Sequence, residues 1–317
     1  MIILSYYQEK VKFSVHYHSV FFFFCVIIRT VYTKTYTKYQ ERKSHNLEKL
    51  YIIGTGNATA IDCFNTTFAI GSGSEYLMTD AGGGNGILRR LREMEISLDH
   101  VHHLIVTHEH SDHILGVVWL IRMWATRFLK DGSLEPVYIY CHEDLTETIR
   151  TLARLTLQPK MYRVIGQKIL ITPVKNGETR HIMDYDVTFF DIESTKAKQY
   201  GFTLRLLSGE KLTCTGDEPY HPGNSTPYVE GSDWLLHEAF CLYQDRDRFR
   251  PYEKHHSTVK DACLMAGEMG IRNLILYHTE DQTGIDTRKK RYLEEGRQYF
   301  SGNLYVPDDG DVILLQK

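Results

Sequence analysis

A chain of 317 residues with 42% hydrophobic and 12% aromatic content carries enough apolar material for one large core or two modest ones, and its composition is that of an ordinary globular protein. Six cysteines are scattered without a C-x-x-C pair, which argues against a zinc ribbon, a redox dithiol or a disulfide scaffold and fits a reducing, cytoplasmic compartment. The net charge of −3 is uneven: residues 1–47 hold seven Lys or Arg against two acidic residues, so the remainder stands at −8 and does not attract a long polyanion over a broad face.

The first 47 residues differ from the rest. Their apolar run at 20–28 is short for a membrane span, is crowded by His16, His18 and Arg29, and has no small-residue cleavage site after it. The segment reads as an appended extension, with a signal-type region or a weak anchor as the alternatives, and no stable membrane association is expected. From Lys49 onward, short apolar β-type runs alternate with helix-like segments, which predicts an α/β sandwich in one domain over 48–317. Expected strands are 50–53, 68–70, 76–79, 104–107, 136–140, 186–191, 202–207, 211–215, 234–237, 274–277 and 312–315. Expected helices, each with an apolar stripe, are 86–95, 113–128, 145–155, 258–269 and 286–300.

The chemistry concentrates where strand 104–107 runs into His108-Glu109-His110-Ser111-Asp112-His113 before an apolar helix. A strand-to-helix turn aims side chains into the crevice outside the strand ends, where ligands bind in α/β folds. His108 and His110, two apart in extended chain, face the same way, while Asp112 and His113 at the helix start serve a neighbouring position. Neutral imidazoles with a carboxylate suit zinc, and manganese or iron as the oxygen share rises. A polar surface loop is the bland alternative among 16 histidines.

H-x-H-x-D-H after a hydrophobic strand is the signature of the metallo-β-lactamase superfamily, and the chain resembles that family over 49–317. Ile53-Gly54-Thr55-Gly56-Asn57 and Asp80 before Gly82-Gly83-Gly84 are similar to its opening motifs. The resemblance implies an α/β fold of four layers, αβ/βα, with two divalent metal ions at one edge between the sheets and Asp80 ordering the histidine loop by hydrogen bonds. Thr213-Cys214-Thr215-Gly216-Asp217 resembles the strand end whose aspartate bridges the metals, and Leu276-Tyr277-His278 the one supplying the last histidine. The histidine that the family places before a segment like Tyr200-Gly201-Phe202 is missing. Glu193 is the expected substitute, shifting preference toward a harder ion; otherwise the first site is weak and the second metal carries the reaction.

Leu235-Leu236-His237-Glu238-Ala239-Phe240 and His255-His256-Ser257-Thr258 resemble the H-E-A-T and H-S-T motifs of ribonuclease Z, the tRNA 3′-end endonuclease. That likeness implies that His256 protonates the leaving oxygen. Glu238 would assist by holding its tautomer and raising its pKa, and Asp112 would also take the proton of the attacking water. The chain departs from ribonuclease Z in two places: 161–183 is too short for the Gly/Pro-rich arm, and Phe64-Asn65 stands where an Arg-Asn pair is usual.

The expected activity is hydrolysis of a phosphodiester, in RNA or a small nucleotide, by a hydroxide generated on zinc (or manganese or iron), and the likeness to ribonuclease Z implies a homodimer. Two rivals remain: a superfamily hydrolase of an ester, lactone, thioester, sulfate or lactam, and a metal-poor relative that binds a partner or nucleotide without catalysis.

Overall fold

The computed structural model describes residues 47–316; the expected extension, with its apolar run at 20–28, lies outside the described residues apart from Leu47. Residues from Glu48 onward form one unit built on two seven-stranded sheets.

The first sheet contains β1 (Lys49–Gly54), β2 (Thr67–Ser72), β3 (Glu75–Thr79), β4 (His103–Ile105), β5 (Val137–His142) and β6 (Ile169–Val174), closed on its other edge by the last strand, β14 (Val312–Leu314). The second contains β7 (Thr179–Ile182), β8 (Tyr185–Asp191), β9 (Tyr200–Arg205), β10 (Lys211–Cys214), β11 (Trp234–Glu238), β12 (Asn273–Tyr277) and β13 (Asn303–Tyr305). The spatial orders are β14-β1-β2-β3-β4-β5-β6 and β13-β12-β11-β10-β9-β8-β7. Each sheet starts as an antiparallel meander and continues parallel, from β3 in the first and from β10 in the second. Parallel strands are covered on both faces, and the fully buried runs Trp234-Leu235-Leu236 and Leu274-Ile275-Leu276 read accordingly.

Five helices of eight residues or more coat the outer faces: α1 (Gly86–Glu93), α2 (Ser111–Lys130) and α3 (Glu143–Thr156) on the first sheet, α4 (Val259–Glu268) and α5 (Ile285–Gly296) on the second. The inner faces pack on each other through Leu50, Phe68, Ile70 and Leu77 against Phe189, Phe202, Leu212 and Ile275, with the Phe68 and Phe202 rings 6.5 Å apart. The result is the four-layer αβ/βα sandwich.

α2 sets the position of the histidine loop. Ile114, Val117, Leu120, Ile121, Trp124 and Phe128 recur at three- and four-residue spacing and bury its inner stripe. Gly116 lets the helix lie directly on the chain after β3: its N–H donates to Gly82 O at 2.8 Å, and a Cβ there would stand 1.8 Å from Ala81 O.

All eleven expected strands and five expected helices occur, with ends shifted by a few residues. The additional strands β6, β7 and β13 carry weak signals: β6 contains Pro173, β7 is exposed over its first three residues, and β13 has only three. No helix among the described residues is long and apolar enough to cross a membrane.

Candidate metal centre

The carboxyl ends of strands from both sheets meet around one buried polar cluster. The turn from β4 to α2 brings His108, His110, Asp112 and His113; the end of β10 brings Asp217, that of β11 Glu238 and that of β12 His278. His108, Asp112, His113, Asp217 and His278 are all at most 5% exposed. Ionisable groups this deep need partners or a metal.

Asp217 is the hub. Its Oδ2 lies 3.6 Å from His108 Nε2 and 3.7 Å from His113 Nε2, and its Oδ1 lies 2.9 Å from His278 Nε2. His113 Nε2 is 3.3 Å from Asp112 Oδ2, and His108 Nε2 meets His110 Nδ1 at 2.9 Å. Ligand atoms of three trios each fall within 4.8 Å of one another: His108, His113 and Asp217; Asp112, His113 and His278; and Asp217, His256 and His278.

The far side of each ring is held. Asp80, in left-handed backbone at φ 56°, accepts from Thr107 N and Oγ1 at 2.8 Å each and meets His113 Nδ1 at 2.7 Å. This is the ordering role expected for it. His278, also left-handed at φ 58°, has its Nδ1 on Thr66 Oγ1 at 3.1 Å, and His108 Nδ1 faces Thr107 Oγ1 at 3.0 Å. Gln199 Oε1 accepts from Asp217 N at 3.0 Å. Nonglycine residues in this backbone region are uncommon, and Asp80 and His278 are two of the seven among the described residues.

The residues fit a divalent cation. Asp112 Oδ2, His113 Nε2 and Asp217 Oδ1 are buried without a hydrogen-bond partner although they converge, as ligand atoms aimed at a common point do. Burial opposes charge on His113, but Asp112 and Asp80 outweigh it and hold the imidazole protonated far above its ordinary range. Burial likewise opposes ionisation of Asp112 and Asp217, and the neighbouring imidazoles overcome it in both, His113 at Asp112 and His278 first at Asp217. A cation seated among these groups replaces that proton. His108 is instead kept neutral by burial and by the charge on His113, the state that binds metal.

His256 sits at the rim of this cluster, stacked on Phe240 at 4.8 Å, with Nδ1 3.4 Å from Asp217 Oδ1 and 3.7 Å from Glu238 Oε2. Glu238 Oε1 accepts from Ser257 N, and Ser257 Oγ donates to Glu238 O at 2.9 Å, so the two motifs are stitched together. One expectation fails here. Burial pushes His256 down to about 3 despite the Asp217 charge, while burial and Asp217 push Glu238 well above the usual carboxylate range. Desolvation of both partners outweighs the anticipated raising of the imidazole by a carboxylate.

The expectation for Glu193 is also corrected. It is exposed, lies in left-handed backbone at φ 59°, has its N–H on Asp191 Oδ1 at 2.8 Å, and accepts from Asn224 Nδ2 at 2.7 Å. Like His110, it belongs to none of the three trios, but unlike His110 it makes no contact with the cluster. The side chain that enters from this loop is Lys196, whose Nζ donates to Asp217 O at 3.1 Å and lies 3.4 Å from His256 Nε2. Sequence reasoning passed over it because a lysine among Thr195-Lys196-Ala197-Lys198 has no metal-site signature. Glu218, Thr66 and Gln199 were missed for the same reason: each acts through a neighbour.

Of the remaining histidines, His142 is buried and caps α3, and His237 is buried with Nδ1 2.6 Å from Thr215 Oγ1. His221 lies 3.6 Å from Glu218 Oε2 at the surface.

A family model described as anti-Pycsar protein Apyc1 matches residues 48–298. The chain belongs to that family. It is also similar to ribonuclease Z of Halorubrum lacusprofundi, 25% identical over 307 residues that span 83% of this chain and 90% of the relative. Among solved structures it resembles the metallo-β-lactamase fold protein YhfI of Bacillus subtilis, with TM-score 0.68, 19% identity, and coverage of 84% of this chain and 99% of the other. Unliganded yeast PDE1 is similar at TM-score 0.67 and 13% identity, covering 85% and 100%. The protein is thus a metallo-β-lactamase-fold member of ribonuclease Z-like kinship, in a superfamily of metal-dependent hydrolases, with a centre of histidine and aspartate that suits divalent metal.

Proposed function

We propose that this chain is a metal-dependent phosphodiesterase whose substrate is a small nucleotide rather than a long RNA. The observation that carries the reading is the His256–Glu238 pair, brought together from two separate motifs with His256 Nδ1 3.4 Å from the Asp217 carboxylate. An ester or lactam hydrolase needs the metal cluster but not this second pair.

Asp112, His113, Asp217 and His278 would hold a divalent ion, with zinc favoured by two imidazoles and two carboxylates in a compact buried set. When bound, the ion supplies Lewis acidity toward the phosphoryl oxygens and a nucleophile at neutral pH. The protein's own groups do the rest. The Asp112 carboxylate, at the cluster wall, would also accept the proton of the attacking water. His256 turns Nδ1 toward the two carboxylates and leaves Nε2, on the Lys196 side, to hand a proton to the departing oxygen. An anionic phosphodiester beside the imidazole would favour its protonated form, the one that delivers the proton.

Substrate size follows from charge and topology. The part of the chain after residue 47 carries −8, and the described chain between β6 and β9 is filled by the β7–β8 hairpin without any projecting arm. An RNA track needs a basic face. The five described cysteines are free and buried, in keeping with a reducing compartment.

The test is turnover of bis-p-nitrophenyl phosphate by wild type, His256→Ala and a chelator-treated sample. His256→Ala should lose about 100-fold in kcat with its metal content intact. Undiminished turnover would remove His256 from the reaction, and loss of metal in that variant would make it a ligand through the Asp217, His256 and His278 trio instead.

A further inference from the structure

Loop 192–199 enters the centre where the family resemblance leads one to expect a third histidine, and it delivers a cation. Lys196 Nζ lies 3.8 Å from Asp217 Oδ2, the same oxygen that faces His108 Nε2 at 3.6 Å, and it contacts Asp217 O and His256 Nε2 as well. Only 16% of its side chain is exposed.

The lysine is held there by a dedicated support. Glu218, the residue after Asp217, has a fully buried side chain. Its Oε1 accepts from Ser194 Oγ at 2.8 Å and from Lys196 N at 3.2 Å, and its Oε2 accepts from Thr195 N at 3.1 Å. A buried carboxylate spent on three loop donors fixes the backbone from which Lys196 reaches inward.

The two halves of the centre differ in the same sense. On the His108 side the two imidazoles bond each other at 2.9 Å, Asp217 Oδ2 faces the ammonium, and Glu193 is turned outward. On the other side Asp112 Oδ2 lies 3.3 Å from His113 Nε2 and Asp217 Oδ1 lies 2.9 Å from His278 Nε2, so these atoms converge, but Asp112 Oδ2, His113 Nε2 and Asp217 Oδ1 make no hydrogen bond of their own. A dication placed between His108, His110 and Asp217 would lack a third protein ligand beyond the bridging carboxylate and would be repelled by the ammonium at close range.

We propose that the Lys196 ammonium takes the place of the first metal ion, so that this chain binds one divalent cation, on Asp112, His113, His278 and Asp217, and Lys196 provides the second positive charge of the centre. The inference rests on the reading of the cluster as a metal centre given under Proposed function.

The experiment is zinc stoichiometry. Full-length chain is stripped with chelator, titrated with Zn²⁺, desalted, and its bound metal counted by inductively coupled plasma mass spectrometry, with Co²⁺ absorbance as a second readout. Wild type should retain one ion per chain, and Asp112→Asn should lose it while keeping the wild-type circular dichroism spectrum. Lys196→Met, which keeps most of the length of the side chain without its charge, and Lys196→Ala should both take up a second ion at least tenfold more tightly than wild type does. Two ions in the wild type would overturn the proposal, as would folded Lys196→Met and Lys196→Ala that both stay at one. No ion in the folded wild type at saturating zinc would sink the metal reading itself, and the proposal with it.

Discussion

Asp80 shows how much of the centre is decided by residues that touch no substrate. It accepts from Thr107 N and Oγ1 and meets His113 Nδ1, so one carboxylate fixes both ends of the histidine loop. Asp80→Asn suits the left-handed backbone at this position, keeps the size and removes the charge, which isolates that effect. Zinc affinity should fall about 10- to 100-fold in competition with a chromophoric chelator. Unchanged affinity would show that the loop is set by packing alone. A second side chain works through burial. His103, on β4, stacks on Tyr138 and is pushed down to about 4, chiefly by burial and then by His102. Its folded pKa is below its unfolded one, so its stabilising contribution is complete above about 6.5 and is lost as pH falls toward 4. After discounting for partial exposure the loss at pH 5 is roughly 1 kcal/mol, or about 3 °C in Tm. His103→Phe should therefore narrow the Tm gap between pH 7.5 and pH 5 by that amount in scanning fluorimetry; an identical gap would assign acid sensitivity elsewhere.

At the scale of elements, the fit of α2 against the chain after β3 makes the histidine loop what it is. Gly116→Ala tests this because two effects oppose each other. Alanine improves helix propensity by about 1 kcal/mol, whereas a Cβ 1.8 Å from Ala81 O must push the helix off the strand end, an overpacking cost of about 1–3 kcal/mol. The clash should win, lowering Tm by several degrees and weakening zinc binding at the same time; a raised Tm would mean that the helix shifts freely. The same contrast explains what the sequence makes legible. β4, β11 and β12 announce themselves because parallel strands covered on both faces read as continuous apolar runs, and α2 because its stripe recurs at helical spacing. Ligand types at strand ends, His108, Asp112, His113, Asp217 and His278, stand out for the chemistry they carry. Lys196 and Glu218 stay silent, since a lysine and a glutamate in a polar loop look alike whether they face solvent or a buried carboxylate. Glu193 misleads for that reason: residue type fits a ligand, but its left-handed turn points the carboxylate at Asn224.

On the scale of the whole molecule, the centre is a joint between the two sheets. His108, Asp112 and His113 come from the first sheet and Asp217 and His278 from the second, and the unpaired buried atoms of Asp112, His113 and Asp217 are a cost that a bound cation would relieve. Metal should accordingly stabilise the entire domain, not a loop. Free zinc at about 100 times its dissociation constant contributes about 2.7 kcal/mol, which in a domain of this size corresponds to roughly 5–10 °C. Differential scanning calorimetry of stripped and zinc-loaded protein should show one transition in both samples, with the loaded one higher by that margin. In Asp217→Asn the gap should largely close, because the ion loses the carboxylate that both sheets share. A gap that survives in Asp217→Asn would place the stabilising metal away from this cluster. Two separate transitions in the stripped protein would show that the sheets melt independently and that the ion, rather than the inner core around Phe68 and Phe202, is what makes them cooperate.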